Sequence, residues 1–75
     1  MPERDPLTVL TGRELEVLAE MSRGRSNHAI GEVLGVGPKT VETHVRKIFI
    51  NLDLHPEPAD HRRVMAVLMY LGARS

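Results

Sequence analysis

Pro38-Lys39-Thr40-Val41-Glu42-Thr43-His44-Val45-Arg46-Lys47-Ile48-Phe49-Ile50-Asn51-Leu52 is the stretch on which the reading of this 75-residue chain turns. Wound as an α-helix at about 100° per residue, it gathers Val41, Val45, Ile48, Phe49 and Leu52 into one apolar arc. Lys39, Thr43, Arg46 and Ile50 fall on the opposite side, with Glu42 and Lys47 on its flanks. Pro38 suits the first helical position, where its fixed φ is already helical and its missing N–H would have had no helical partner. The segment thus has one face to bury and one polar, partly basic face to leave outside.

Only Gly35-Val36-Gly37 separates this helix from a shorter one before it. Ser26 is a good N-cap for that helix, Ala29, Ile30, Val33 and Leu34 supply its apolar stripe, and Gly35 supplies its exit. Two helices joined by a tight, glycine-containing turn form a helix-turn-helix unit, with Val36 placed to plug the angle between them. Further upstream, Thr11 and Glu14 have the spacing of a capping box, and Leu10 and Leu15 that of its hydrophobic staple. Leu15, Leu18 and Met21 continue at helical spacing with Val17 on the flank, and Gly24 ends the run in a left-handed turn. Residues 1–9, charged and broken by two prolines, read as a linker or disordered tail, so the domain is expected over 10–72.

Downstream, two prolines make residues 53–59 a loop. Asp60 is expected to cap a last helix running to about Leu71, with Gly72 closing it. Val64, Val67, Leu68 and Leu71 form its expected core stripe. A second apolar strip, Met65, Ala66 and Met69, points elsewhere. It could pair two copies of the chain, or cover the first helix or Leu7 and Val9 within one copy. The expected architecture is all-α, four helices, the second and third forming the helix-turn-helix.

Composition narrows the function classes. The only aromatics are Phe49 and Tyr70, so the core is aliphatic, and a chain this short buries only roughly 60% of its unfolded surface. There is no cysteine, hence neither disulfide nor thiolate metal site. His28, His44, His55 and His61 lack metal-ligand spacing, and no nucleophile motif or phosphate-binding glycine loop is present. The expectation is a non-enzyme without cofactor or metal. No apolar run approaches the ~18 residues of a membrane span, and the N-terminus has no signal-peptide pattern, which makes a cytoplasmic domain the expectation. Ten basic and ten acidic residues cancel, yet residues 38–52 carry three basic and one acidic, so positive charge concentrates on the third helix. A short helix with a core face and a partly basic outer face suits the major groove of duplex DNA. Zero net charge also fits a different class, a helical protein–protein interaction module that binds no DNA.

Three motifs carry a family resemblance. Leu10-Thr11-Gly12-Arg13-Glu14-Leu15-Glu16-Val17-Leu18 resembles the opening of LuxR-type (GerE-type) helix-turn-helix domains. Gly24-Arg25-Ser26-Asn27-His28-Ala29-Ile30 is similar to their second segment, and Pro38-Lys39-Thr40-Val41-Glu42-Thr43-His44-Val45 to their recognition helix. The stretch Asp60–Leu68 also resembles the output domains of NarL/FixJ-type response regulators. The resemblance implies a bacterial transcription regulator, nucleoid-associated, that binds double-stranded DNA, dimerises weakly through its last helix and contacts RNA polymerase. It places Glu42, Thr43 and Arg46 at base-reading positions. It places Ser26, Asn27, Lys39, Thr40, His44 and Lys47 at backbone-contact positions, and Met65, Ala66 and Met69 at the dimer interface.

The residues themselves leave alternatives at each position. Arg46 can donate two hydrogen bonds to a guanine edge or pair with Glu42 on a solvated face. Glu42 can accept from a cytosine amino group or orient Arg46. Thr43 can offer its methyl to thymine or be an ordinary exposed threonine. Lys39 and Thr40 lie where a helix N-terminus attracts phosphate, and Ser26 and Asn27 are first of all a helix start. His44 borders the core arc and can pack there with a hydrogen bond to the backbone, or reach a phosphate. Against the family pattern, Gly31 stands for the usual alanine, which is expected to weaken the second helix by up to about 1 kcal/mol. Gly37 replaces a Ser or Thr cap, and Ile50 an often basic residue.

Overall fold

Four α-helices are arranged around a largely aliphatic core that also takes in Phe49 in the computed structural model, which describes residues 5–54 and 59–74, the last set without the side chains of 59, 60 and 74. They are α1 (Gly12–Met21), α2 (Asn27–Leu34), α3 (Pro38–Asn51) and α4 (Ala59–Arg74), and no strand occurs among the described residues. α1 and α2 both pack on α3, and α4 lies across α1 and α3.

Local chemistry sets the first three helices. Both halves of the capping box form: the Thr11 N–H donates to Glu14 Oε1 at 3.1 Å, and the Glu14 N–H donates to Thr11 Oγ1 at 3.1 Å. Glu14 has a third task. Only 3% exposed, it also accepts at Oε1 from Asn51 Nδ2 at 3.1 Å, which ties the start of α1 to the end of α3. Val17, read as a flank, is wholly buried beside Leu18, while Leu15 packs only partly against the core. Gly24 and Gly35 take left-handed φ of 80° and 72°, the two turns that frame α2. Ser26 caps α2 by accepting from the Ala29 N–H at 3.2 Å. Ile30 is buried, but Val33 is exposed, so the buried stripe of this two-turn helix is narrower than its sequence suggests.

The turn between α2 and α3 revises the reading of Gly31. The Val36 N–H donates to the Gly31 carbonyl at 2.9 Å, and a Cβ at Gly31 would stand 2.6 Å from the Val36 carbonyl oxygen. The glycine is there because the backbone of the turn passes directly over it. Val36 packs against the core as the plug between the two helices.

The segment read as a linker is structured over Pro6–Val9, a single 3₁₀ turn capped by Asp5, whose Oδ1 accepts from the Leu7 N–H at 2.8 Å. Leu7 and Leu10 are buried, so the chain joins the core before the capping box. Leu7 and Leu10 stand three residues apart with charged Arg4 and Arg13 on either side, so no apolar period marks them in the sequence.

α4 is turned the other way from the expected orientation. Ala66 is fully buried (0%), and Val67, Met69 and Tyr70 pack against the core. Of the expected core stripe, Val67 alone packs inward, while Val64, Leu68 and Leu71 are 55%, 57% and 48% exposed. The core is already filled by the aliphatics of the other helices, so α4 lies over it as a lid. A small alanine at the contact lets its backbone come close, where a row of leucines would hold it away. α4 also starts at Ala59, one residue before the Asp60 expected to cap it, and runs through Gly72 to Arg74. Of the loop expected over 53–59, Asp53 and Leu54 leave α3 in a turn and Ala59 already belongs to α4, while residues 55–58 lie outside the described residues.

Candidate nucleic-acid interface

α3 puts Val41, Val45, Ile48 and Phe49 into the core, and this burial fixes what faces out. Lys39, Thr40, Glu42, Thr43, Arg46, Lys47 and Ile50 are all exposed. The three base-reading candidates, Glu42, Thr43 and Arg46, therefore share one open face of a helix held rigidly on its other side. The Thr43 hydroxyl donates to the Lys39 carbonyl at 3.1 Å, which turns its polar hydrogen inward and leaves the methyl group free for an apolar contact. Pro38 has no N–H, and the Thr40 N–H donates to the Gly37 carbonyl at 3.1 Å. The free donor in the first turn of α3 is accordingly that of Lys39.

The start of α2 belongs to the same surface. Asn27 lines a cleft with Glu42, Val45, Arg46, Phe49 and Arg62, so a backbone-contact candidate and two base-reading candidates meet across one gap. Ser26 is exposed and Asn27 half-buried at the mouth of a second cleft with Gly24, Arg25, His28 and Arg63. His44 is half-buried and its Nδ1 is enclosed without a hydrogen-bond partner. The backbone hydrogen bond open to it on the sequence reading is therefore not made through Nδ1. Arg25 is committed elsewhere: its Nε donates to Glu20 Oε1 at 2.6 Å.

The structure adds two arginines that the sequence reading passed over. Arg62 stacks on Phe49, its guanidinium carbon 4.9 Å from the ring centroid, and walls the cleft beside Arg46. Arg63 donates from Nη1 to Asn27 Oδ1 at 2.9 Å and from Nη2 to the Arg25 carbonyl at 2.7 Å. Met65, Ala66 and Met69, by contrast, do not form one surface. Ala66 is buried under α4, Met69 packs into the core, and only Met65 faces out.

The model for bacterial regulatory proteins of the luxR family, GerE, matches residues 8–59, which span α1, α2, α3 and the turn joining α2 to α3. The chain belongs to this family. As a luxR-family domain it has the all-α helix-turn-helix fold of DNA-binding transcription regulators. It is 39% identical over 72 residues to the nitrate/nitrite response regulator protein NarP of Escherichia coli, covering 96% of this chain and 31% of that protein. It is 46% identical over 52 residues to the transcriptional regulatory protein DegU of Brevibacillus brevis, covering 69% of this chain and 22% of that protein. It is 44% identical over 54 residues to the oxygen regulatory protein NreC of Staphylococcus haemolyticus, covering 72% of this chain and 25% of that protein. The luxR-family domain thus spans less than a third of the length of these relatives. No solved structure matches it. Among the described residues, no helix is long and apolar enough to cross a membrane.

Proposed function

We propose that this luxR-family domain is the output module of a two-component response regulator and sets α3 into the major groove of its operator. The observation that carries the reading is the shared cleft of Asn27, Glu42 and Arg46, which aligns the start of α2 with the outer face of α3. In this reading Arg46, Glu42 and Thr43 meet base edges. Lys39, Thr40 and Lys47 hold the phosphate backbone, with Ser26 and Asn27 doing so from the adjacent helix start and His44 from the flank. The likeness to the response regulator NarP supports the assignment to response regulators, and the proposal adds a site of action at the nucleoid and a contact to RNA polymerase.

Dimerisation on DNA is part of the proposal, through a different face of α4 from the one expected. Val64, Leu68 and Leu71 recur on one exposed side, with Met65 at its edge. Two copies related by a two-fold axis would bury this strip against itself and present two α3 helices to two half-sites. At roughly 300–500 Å² per partner such an interface is weak, so pairing is expected on DNA or at high concentration.

Competition binding on fragments of the source genome tests the function. A small set of fragments should be retained against excess random duplex. Equal retention of all fragments would remove sequence-specific reading, and retention of none would favour a protein-interaction module.

A further inference from the structure

Arg63 reaches from α4 to the start of α2, and the chemistry of the two groups it meets has a consequence for DNA contact. A guanidinium has donors only, so the atom 2.9 Å from Arg63 Nη1 is the Asn27 amide oxygen. The amide is planar, and fixing its oxygen fixes its NH₂ arm on the other side. That arm makes no hydrogen bond among the described residues, and Asn27 lines two open clefts. The second bond, from Arg63 Nη2 to the Arg25 carbonyl at 2.7 Å, holds the connection between the left-handed Gly24 and the Ser26 cap. Arg63 therefore fixes both the entry to α2 and the rotamer of the residue that opens it.

We infer that Arg63 is a positioning residue for DNA binding: it holds the Asn27 amide so that its two N–H donors face a backbone phosphate. The inference rests on the reading of Asn27 as a backbone contact. A free asparagine samples several rotamers and both amide orientations, and only some present a donor to the phosphate. Clamped by Arg63, it presents the donor before DNA arrives, so the ordering cost is not paid on binding. Because Arg63 adjoins Val64 on the exposed strip of α4, the same clamp fixes the angle between that helix and the phosphate-contacting end of α2.

The test uses fluorescence anisotropy with a short mixed-sequence duplex, since a backbone contact needs no operator. Binding is measured alongside circular-dichroism melts. Asn27→Ala should weaken binding about tenfold, the size of one lost hydrogen bond to a charged group. Arg63→Met should weaken it by a similar factor, and the double variant should be no weaker than either single one. The slope of log affinity against log salt should stay unchanged in Arg63→Met. If Arg63 itself neutralised a phosphate, that slope would shrink by about 0.9, which would overturn the positioning role. Additive losses in the double variant would overturn it too. Asn27→Asp covers the case in which Arg63→Met loosens the fold. It keeps an acceptor for Arg63 and suits a helix start, so its melting temperature should equal or exceed the parent's. With its donor replaced by a negative charge it should bind duplex more weakly than Asn27→Ala. An Asn27→Asp protein that binds as the parent does would sink the inference. If Asn27→Ala loses nothing, the reading of Asn27 as a backbone contact fails along with it. A loss in Asn27→Ala without one in Arg63→Met refutes the role of Arg63 alone.

Discussion

Arg46 and Lys39 both lie on the exposed face of α3, but they should fail differently when removed. Arg46 shares a cleft with Glu42 and Asn27 on the outer face of α3, the position proposed to meet a base edge. Arg46→Ala should cost about 1–3 kcal/mol on the operator and little on random duplex. Lys39→Ala should weaken both nearly equally, as the loss of a phosphate contact does. Equal losses for Arg46→Ala on the two duplexes would make Arg46 a backbone contact. Gly31 offers a prediction about stability. Alanine would gain up to about 1 kcal/mol in helix propensity, but its Cβ would stand 2.6 Å from a backbone oxygen that cannot rotate away. Overpacking of this kind costs about 1–3 kcal/mol, so Gly31→Ala should lower the melting temperature. A raised melting temperature would show that the turn yields easily. The usual alanine of the family pattern made this glycine look like a weakness. Only the position of the Val36 carbonyl shows that in this turn an added Cβ meets a backbone oxygen.

The helix that departs most from its sequence reading is α4, and it carries the clearest test at this scale. Leu68 and Val64 are more than half exposed, and Ala66 is fully buried. Leu68→Glu should leave helicity and melting temperature near the parent's while abolishing cooperative occupation of paired half-sites in a gel-shift titration. Ala66→Leu should do the reverse. It forces three extra carbon atoms into a close helix contact, for a loss of about 1–3 kcal/mol in a denaturant titration. If Leu68→Glu unfolds the domain, the exposed strip belongs to the core after all. Periodicity showed that α4 has two apolar strips. Which one faces inward was not legible, because hydrophobicity favours the larger leucines while close packing favours the alanine. At the other end of the fold, Asn51→Ala removes the tie to Glu14 and leaves a buried carboxylate oxygen one partner short. It should cost about 1–2 kcal/mol in the same titration, with DNA contacts on the outer face of α3 unaltered.

Taken whole, the domain has no net charge, so its affinity for DNA must come from where its cations stand. Lys39, Arg46 and Lys47 are exposed on α3, whereas Arg25 is paired with Glu20 and Arg63 is engaged at the start of α2. Two to four phosphates neutralised per copy correspond to a log–log salt slope of roughly −2 to −4. A slope near zero on random duplex would remove the backbone contacts from the proposal. A slope far steeper would require cations beyond those of α3, Arg62 being the nearest.

The sequence by itself determined the parts governed by neighbours a few residues apart. The capping box of Thr11 and Glu14, the Ser26 cap, the left-handed glycines 24 and 35 and the apolar arc of α3 all formed as read. Each depends on hydrogen bonds or steric limits within one or two helical turns, which residue spacing records directly. The tertiary structure alone decided the contacts between residues 36 and 38 positions apart: Asn27 with Arg63, and Arg25 with Arg63. It also decided the burial of Leu7, the rotation of α4 about its axis and the backbone oxygen that an added Cβ at Gly31 would meet. These outcomes follow from how finite volumes fill a small shared core, and no local pattern in the chain encodes which of two apolar faces the last helix must bury.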